Sequence, residues 1–388
     1  MKKLMRRLLC AFLALCLCAG AFLLPSCGED RKGAAPALKD CGIIHEPEFG
    51  GVYIKNTIEE FNALGFVYGD SVDISFSNGY TITDIPYYNG YYTANGELLL
   101  VAYPGYDYIK AAVNNGDDLW DAALLEEGMT ATVTRNAAGR YLSIQKARDI
   151  HYTDDRSKFK SDEVFANFRS IRAGSLLPDT VYRSASPCDN QHKRATYVDA
   201  LISDAGIGFI LNLADSDEKI RKYMCAEDFA CPYFAELYES GNVTPIALNM
   251  NYGSDEFRAK VAAGLAAMAE HEGPYLIHCT EGKDRTGFVC MLVGALAGAS
   301  WDELERDYMI TYENYYGITK QDDRERYDVI VENVFAPMVQ SMAGDETADV
   351  RKADLRILAE EYLTAAGMDL QTLTKLKERI VVFTEFAA

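Results

Sequence analysis

The sequence has no Cys-x-x-Cys pair, and the spacing of its cysteines matches no zinc-site pattern. Four of the ten cysteines fall within the first 27 residues: Cys10, Cys16, Cys18 and Cys27. The other six are too scattered for a dense disulfide framework, although Cys225 could pair with Cys231, or Cys188 with either of them. These absences argue against a dithiol oxidoreductase, and we expect neither a metal nor a cofactor.

Positive charge is also scarce. The chain has 38 Lys and Arg against 58 Asp and Glu, a formal net charge of -20. The first 26 residues carry four cations and no acid, so the rest of the chain carries -24. Such a surface repels nucleic acid and anionic lipid, and we expect no nucleic-acid partner. An anionic ligand would need a local positive site.

Long apolar runs are absent after the N-terminus. There, cations precede 17 apolar residues over 8–24, which are too short for a membrane span and typical of a signal peptide. The following Leu24-Pro25-Ser26-Cys27-Gly28 resembles a bacterial lipoprotein cleavage box. This predicts a chain cleaved after residue 26, diacylated on Cys27 and anchored to the bacterial membrane outside the cytoplasm. Ordinary secretion is the alternative.

Residues 274–287 join an apolar run to a polar loop. The run before His278 is typical of a buried strand, and a helical apolar segment follows over 288–297. Between them, Cys279 and Arg285 are separated by five residues. Successive backbone N–H groups in a tight loop before a helix form a concave anion site. The pattern therefore predicts a phosphate-binding loop with a thiol at its base.

Most side chains of this loop have a predicted role. The loop dipoles favour the thiolate of Cys279, which can attack phosphorus and form a covalent phosphocysteine. Arg285 can bind two phosphoryl oxygens with its planar guanidinium and stabilise transition-state charge. Arg183 and Lys283 could add positive charge. We expect the phosphate to contact the whole loop: Thr280, Glu281, Gly282, Lys283, Asp284 and Arg285.

Flanking residues complete the predicted site. Thr286 can donate its hydroxyl to the sulfur when phosphocysteine breaks down, and His278 orients the loop rather than acting as a base. A Cys and an Arg at this spacing occur by chance in many proteins. Here the histidine, the glycines Gly282 and Gly287 and the strand–loop–helix context agree, which favours a functional cysteine.

The segment His-Cys-Thr-Glu-Gly-Lys-Asp-Arg-Thr-Gly, starting at His278, resembles the signature of cysteine-dependent tyrosine and dual-specificity phosphatases. Its Lys-Asp pair resembles the motif of the bacterial branch that includes secreted mycobacterial tyrosine/lipid phosphatases. Weaker similarities over about residues 160–388 are Asn167-Phe168-Arg169, Tyr182-Arg183-Ser184-Ala185, Asp307-Tyr308 and the run 353–380. The resemblance implies a phosphocysteine mechanism.

The general acid is less well defined, because the chain departs from the family pattern. Residues 212–214 read Asn-Leu-Ala where relatives usually have Asp-Leu-Arg, and Glu281 stands where a small residue is commoner. Asp284 is the first candidate for the proton donor, although its arginine neighbour would normally keep it ionised. Asp255 is the second candidate, and an N-cap of a helix over 257–271 explains it equally well.

We expect an α/β phosphatase-like fold, a central sheet flanked by helices, preceded by a small, mostly β domain. The predicted divisions are a signal peptide (1–26), a tether (27–48), the β domain (49–152) and the phosphatase domain (153–388). In the β domain, Val72, Ile74 and Phe76 share one strand face, and segments 130–135 and 141–145 are predicted to form a hairpin. In the phosphatase domain, strands are predicted near Val181 and at 208–212, 245–248 and 275–278.

The sequence therefore predicts a lipid-anchored phosphomonoesterase. Phosphotyrosine protein is the substrate that the resemblance implies. Phosphoinositides or inositol polyphosphates are the alternative, because Lys283 could engage extra phosphates, although the Glu281 carboxylate would repel them. A second alternative is an inactive phosphoprotein-binding module, but such a module would not need Cys279, Arg285 and Thr286.

Overall fold

The computed structural model describes residues 35–47, 50–94, 96–345 and 348–382. The predicted signal peptide and Cys27 lie outside the described residues, so their predictions stay untested. From Ala37 onward the chain forms one compact unit. None of the helices in the described ranges combines the length and the apolar character needed to cross a membrane.

The N-terminal part of this unit is a closed β-barrel. Its strands are Ala37–His45 (β1), Val52–Ile54 (β2), Ser71–Phe76 (β3), Thr81–Tyr88 (β4), Leu98–Val101 (β5), Ile109–Val113 (β6) and Thr130–Ala137 (β7). Their order around the barrel is β1, β2, β6, β5, β4, β3, β7. Three helices accompany them: Ile58–Ala63 (α1), Leu119–Ala122 (α2) and Leu142–Arg148 (α3). The predicted apolar face of β3 is confirmed, since Val72, Ile74 and Phe76 are all buried.

Two predictions for this region were wrong. Strand β1 lies within the predicted tether, where it pairs with β2 and β7 and buries Ile43 in the barrel core. Its polar start and a register shift between Leu38 and Cys41 interrupt the alternation that would have shown it. Residues 142–148 form helix α3 instead of a hairpin strand. Both edges of β7 are already paired, with β1 and β3, so no edge remains for a hairpin partner.

The C-terminal part is an α/β domain, as predicted. Its strands are Arg169–Ser170 (β8), Val181–Ser184 (β9), Phe209–Asn212 (β10), Val243–Pro245 (β11) and Tyr275–His278 (β12), in the order β11, β10, β12, β9, β8. Strands β11, β10, β12 and β9 are parallel to one another, and β8 is antiparallel to β9. Along β10, Phe209 and Leu211 join one apolar cluster and Ile210 another, so both faces of the sheet are covered. The strand predicted at 245–248 ends at Pro245, and a loop follows.

The helices of this domain begin after residue 160. They are Asp162–Phe165 (α4), Ala195–Asp204 (α5), Asp217–Met224 (α6), Pro232–Glu239 (α7), Asp255–Glu270 (α8), Asp284–Leu296 (α9), Trp301–Tyr316 (α10), Arg324–Ile330 (α11), Ala336–Ala343 (α12), Leu355–Ala365 (α13) and Leu370–Ile380 (α14). A π-helical turn, Val331–Phe335, joins α11 to α12. Helix α9 is buried from Thr286 to Leu296, which fixes it at the centre of the domain.

The parallel strands β9, β10 and β12 end at the same edge of the sheet. Loops at the carboxyl ends of such strands meet in a crevice, which is where α/β sheets bind ligands. The loop that follows β12 carries Cys279, so the topology places the predicted phosphate loop in this crevice. We name residues 149–155, between α3 and the short 3-10 turn Arg156–Lys158, the linker.

Candidate active site

The loop after β12 closes around the N-terminus of α9. Cys279, with 3% of its surface exposed, follows the last strand residue, and Asp284 begins the helix. The backbone turns at Gly282, where φ is +68° and an added Cβ would lie 2.2 Å from the Ser184 carbonyl oxygen. Only glycine fits there. The result is the predicted strand–loop–helix arrangement, whose helix dipole and N–H groups favour an anion.

Arg285 spans the mouth of the loop. Its Nη1 donates to the Leu248 carbonyl oxygen at 3.2 Å, and its Nη2 donates to Thr280 Oγ1 at 3.2 Å. Each terminal nitrogen of a guanidinium carries two hydrogens, so donors remain for two phosphoryl oxygens. Leu248 and Thr280, which hold Arg285, come from two separate loops. Only Thr280 belongs to the recognised motif.

Behind the loop lies an ion pair that the sequence did not predict. Arg183 is fully buried; its Nη1 lies 2.6 Å from Asp307 Oδ2 and its Nη2 donates to the Gly282 carbonyl oxygen at 2.9 Å. Burial would raise the pKa of Asp307, but Arg183 and Arg169 outweigh it and hold that pKa below its usual value. Arg183 therefore supports the back of the loop. The positive charge that it was predicted to add does lie beside the loop, where Asp307 pairs with it.

Asn167 and Arg169 extend this support. Asn167 Nδ2 donates to the Gly282 carbonyl oxygen at 3.0 Å and to Thr311 Oγ1 at 3.1 Å. Arg169 Nη2 donates to the Asp307 carbonyl oxygen at 2.7 Å. The weaker sequence similarities around residues 167–169, 182–185 and 307–308 thus meet at the back of the phosphate loop. Their contribution is to loop geometry.

Within the loop, Lys283 and Asp284 form an ion pair. Lys283 Nζ lies 2.5 Å from Asp284 Oδ2, and the Tyr308 hydroxyl donates to Asp284 Oδ1 at 3.1 Å. Burial alone would raise the pKa of Asp284, but the Lys283 charge outweighs it and the pKa is lowered. The carboxyl is therefore ionised at neutral pH, which argues against Asp284 as the proton donor of the free protein.

Asp255, the second candidate acid, is exposed on the first residue of α8. The N-cap of this helix is Ser254, whose hydroxyl accepts from the Phe257 N–H at 3.2 Å, so the N-cap interpretation belongs to the preceding residue. Among the described residues, no hydrogen bond joins Asp255 to the phosphate loop. The segment before it does reach the site, because Leu248 accepts from Arg285.

His278 and Thr286 are both buried against the loop. Burial lowers the pKa of His278 to about 4, so the ring is neutral, and its Nδ1 lies 3.3 Å from the Cys279 carbonyl oxygen. A neutral ring suits an orienting role better than a charged one. The Thr286 hydroxyl, in the first turn of α9, has no hydrogen-bond partner within the described part of the chain. It thus has a donor to spare for a sulfur or phosphoryl acceptor.

A wall of tyrosines flanks the loop on one side. The Tyr315 hydroxyl donates to the Glu281 carbonyl oxygen at 2.7 Å, and the rings of Tyr315 and Tyr316 are 6.2 Å apart. Tyr152, from the linker, stacks on Tyr315 with the ring centroids 5.0 Å apart. The sequence did not indicate Tyr152, because no local pattern marks a contact with a residue as far away in the chain as Tyr315.

The cysteines of the described residues give no sign of a disulfide. All six within the described ranges are free: Cys41, Cys188, Cys225, Cys231, Cys279 and Cys290. Burial raises the pKa of Cys231 and of Cys290 to about 12, so both thiols are protonated and unreactive at neutral pH. Cys279 is the cysteine that lies in the phosphate loop.

Residues 166–382 match the family model described as "Tyrosine phosphatase family". This match covers more than half of the chain and includes the whole loop. The chain belongs to the tyrosine phosphatase family. A tyrosine-protein phosphatase of Nostoc commune is 32% identical over 127 residues, which cover 29% of this chain and 40% of that relative. The chain thus spans less than half of the length of this relative.

Two solved structures share less sequence identity with this chain than the Nostoc commune relative does. P. aeruginosa TpbA in complex with pTyr shares 17% identity over 50% of this chain and 94% of its own, with a TM-score of 0.27. The core catalytic domain of the PP-IP phosphatase SIW14 from S. cerevisiae, in complex with citrate, shares 20% identity over 43% of this chain and 92% of its own, with a TM-score of 0.26. At such low scores neither structure carries an argument, and the assignment depends on the family match. The barrel and the linker lie outside that match.

Proposed function

We propose that this member of the tyrosine phosphatase family hydrolyses phosphate monoesters through a phosphocysteine on Cys279. The thiolate attacks phosphorus, the phosphorus–oxygen ester bond breaks, and the leaving oxygen departs with the bonding electrons. Water then attacks phosphorus, which releases inorganic phosphate and restores the thiolate. The observation that carries this proposal is the position of Cys279 at the base of a loop closed by Arg285 and the N-terminus of α9.

Two side chains assist these steps. Arg285 binds two phosphoryl oxygens and stabilises the charge that develops on them, since its guanidinium is already held across the mouth of the loop. Thr286 donates its spare hydroxyl hydrogen to the sulfur as phosphocysteine breaks down. His278 keeps the Cys279 carbonyl in place.

The preferred substrate in this proposal is phosphotyrosine in a protein. A phenolate leaves without a proton far more readily than an alkoxide, whose unassisted departure costs several kcal/mol of barrier. The ionised Asp284 makes such assistance weak at neutral pH. Activity on phosphoserine, as in a dual-specificity enzyme, would need Asp284 to gain a proton in the complex or Asp255 to move toward the site.

The observations favour this substrate over polyphosphates. Lys283, the cation that suggested them, is already paired with Asp284, and the Glu281 carboxylate stands at the rim of the loop. An inactive binding module is also less well supported, because Cys279, Arg285 and Thr286 are together in one intact loop.

We also propose that the protein is anchored outside the cytoplasm through a diacylated Cys27. The support is the charged and apolar N-terminal segment and the residues around Cys27. Metabolic labelling with a palmitate analogue should mark the full chain but not its Cys27→Ala variant. Equal labelling of both would contradict the anchor, and release of an unlabelled chain into the medium would favour secretion.

Trapping of the intermediate tests the catalytic proposal. The protein is mixed with an aryl phosphate, quenched in acid and digested, and the peptide that contains Cys279 is examined by mass spectrometry for one added phosphoryl group. We expect this group on Cys279 in the natural sequence and in a Cys225→Ser control, whose cysteine is exposed and distant in sequence. Turnover without any modified Cys279, or turnover retained by Cys279→Ser, would contradict it.

A further inference from the structure

The linker crosses the rim of the phosphate loop. The Tyr152 hydroxyl donates to Glu281 Oε1 at 2.9 Å, and its ring stacks on Tyr315 at 5.0 Å with an interplanar angle of 24°. Burial and the neighbouring Glu281 carboxylate raise the pKa of Tyr152, so its hydroxyl stays protonated and remains a donor. The same loop residue is thus held twice, since the Tyr315 hydroxyl donates to the Glu281 carbonyl oxygen.

The position of Tyr152 is fixed by a buried cation. Arg194 is only 2% exposed; its Nη1 lies 2.5 Å from Asp154 Oδ1 and its Nη2 donates to the Thr153 carbonyl oxygen at 3.2 Å. Its guanidinium also lies over the rings of Tyr152 and Tyr315, at 4.9 and 5.0 Å from their centroids. Cation–ring contacts of this kind are attractive, and more so when they are desolvated. The linker is therefore part of a packed cluster at the site.

Helix α3, on the barrel side of the linker, also affects the site. Helix α3, which precedes the linker, packs against α11 of the phosphatase domain. Arg148, the last residue of α3, helps to lower the pKa of Asp284, after the larger effects of burial and of Lys283. Neither α3 nor the linker lies within the family match at residues 166–382. A segment outside the matched residues thus lies at the rim of the site.

Two physical effects follow at the rim. The ring of Tyr152 extends the wall of Tyr315 and Tyr316, whose centroids lie 5.0 and 5.7 Å from it, and such a wall suits a flat aromatic group. The hydroxyl holds the Glu281 carboxylate beside the loop, where it repels any second phosphate on the same ligand.

We propose that Tyr152 is a specificity-determining residue of the phosphatase site. Because of Tyr152, the site selects a flat, singly phosphorylated ligand over a polyphosphorylated one. This inference rests on the proposed function, because it concerns the ligand of the same loop. It assigns a part in substrate selection to a segment that precedes the residues matched by the family model.

The test measures binding in the Cys279→Ser background, so that it does not depend on turnover. Calorimetry gives the dissociation constants of a phosphotyrosine peptide and of inositol hexakisphosphate. We expect Tyr152→Ala to weaken peptide binding by about 10-fold while hexakisphosphate binding is unchanged or tighter. Tyr152→Phe keeps the ring, so peptide binding should stay within about twofold while hexakisphosphate binding tightens by about threefold.

A second variant shows whether Tyr152 acts through Glu281. Glu281→Ala should tighten hexakisphosphate binding by about 10-fold, and adding Tyr152→Phe to it should change nothing further. The matched control is Tyr80→Ala, an exposed tyrosine at the opposite end of β7 from α3, which should alter neither constant.

Several results would overturn the inference. Equal changes in both constants for the Tyr152 variants would mean a merely structural role, and so would a melting temperature lowered with an unchanged binding ratio. An undiminished effect of Tyr152→Phe in the Glu281→Ala background would remove the proposed link. Turnover is measured separately with Cys279 intact. Absence of phosphate release there would overturn the proposed function, whereas the binding ratios would still decide the inference.

Discussion

Asp307 Oδ2 lies 2.6 Å from Nη1 of the fully buried Arg183, and the same guanidinium holds the Gly282 carbonyl oxygen from behind. A buried arginine depends on its carboxylate, because removal of one partner leaves an uncompensated charge in a medium of low dielectric constant. The shape of the phosphate loop therefore depends on an ion pair between β9 and α10.

We expect Asp307→Asn to lower the free energy of unfolding by about 3–5 kcal/mol, since Arg183 would lose its counter-charge. Urea unfolding of the two proteins measures the difference. The control is Asp328→Asn, which removes an exposed partner of Arg324 at 3.2 Å and should cost less than about 1 kcal/mol. Equal losses in the two variants would contradict the role given to Asp307.

Arg285→Lys should lower kcat by at least about 100-fold, because an ammonium group cannot bind two phosphoryl oxygens with a planar fork. Steady-state kinetics on an aryl phosphate measures this. Arg221→Lys, at an exposed position of α6, is the control and should leave kcat unchanged. A loss of less than about threefold in Arg285→Lys would mean that its guanidinium does not contact the transferred group.

Lys283→Ala should reduce kcat/KM for a phosphotyrosine peptide and for inositol hexakisphosphate by similar factors, about 3–10-fold. The reason is that Lys283 is paired with Asp284, so its loss disturbs the loop rather than a separate phosphate site. Parallel kinetics on the two substrates give the ratio. A much larger loss on the hexakisphosphate would restore the polyphosphate alternative.

His278 should make stability depend on pH. Burial lowers its pKa from an ordinary 6.5 to about 4, so the unfolded chain binds a proton more readily than the folded protein. The contribution of His278 to the free energy of unfolding is therefore fully present above about pH 6.5. It decreases as the pH drops toward 4, by up to about 3 kcal/mol. His278→Gln should flatten this part of the pH profile of unfolding.

His151→Gln is the matched control for that experiment, since its side chain is 86% exposed. It should keep the pH dependence of the natural sequence. A profile unchanged by His278→Gln would show that other groups cause the loss of stability in acid.

The sequence predicted the strand–loop–helix geometry around Cys279 well because its parts are contiguous. The strand, Cys279, the glycine turn, Arg285 and the start of α9 all lie within residues 275–296, and each follows from a local pattern. The α/β class was predicted for the same reason, since strands and helices alternate along the chain. The capping box of α10, formed by Ser300 and Glu303, is likewise a local feature, since its two residues are three positions apart.

What the sequence missed depends on contacts between distant segments. The Arg183–Asp307 pair joins residues 124 positions apart, and Tyr152 reaches Glu281 across 129 positions. The hairpin predicted after β7 failed because both edges of that strand were taken by segments far away in the chain. Local patterns carry no information about which edges or which cavities are already filled.

The same limit applies to the proton donor. Asp284 was the first candidate by its place in the loop, but its protonation depends on Lys283, on burial and on Arg148 from the barrel side. Only the last two require the folded structure. In the proposed function, the ionised Asp284 is the reason why aryl phosphates are preferred over alkyl phosphates.

The most direct test of the central claim is phosphate release by a soluble protein that begins after Cys27, under reducing conditions, beside its Cys279→Ser variant. The substrates are a phosphotyrosine peptide, a phosphoinositide and inositol hexakisphosphate. We expect release that depends on Cys279 and is fastest on the phosphotyrosine peptide. Release that Cys279→Ser retains, or tight peptide binding without any release, would contradict a phosphocysteine phosphatase.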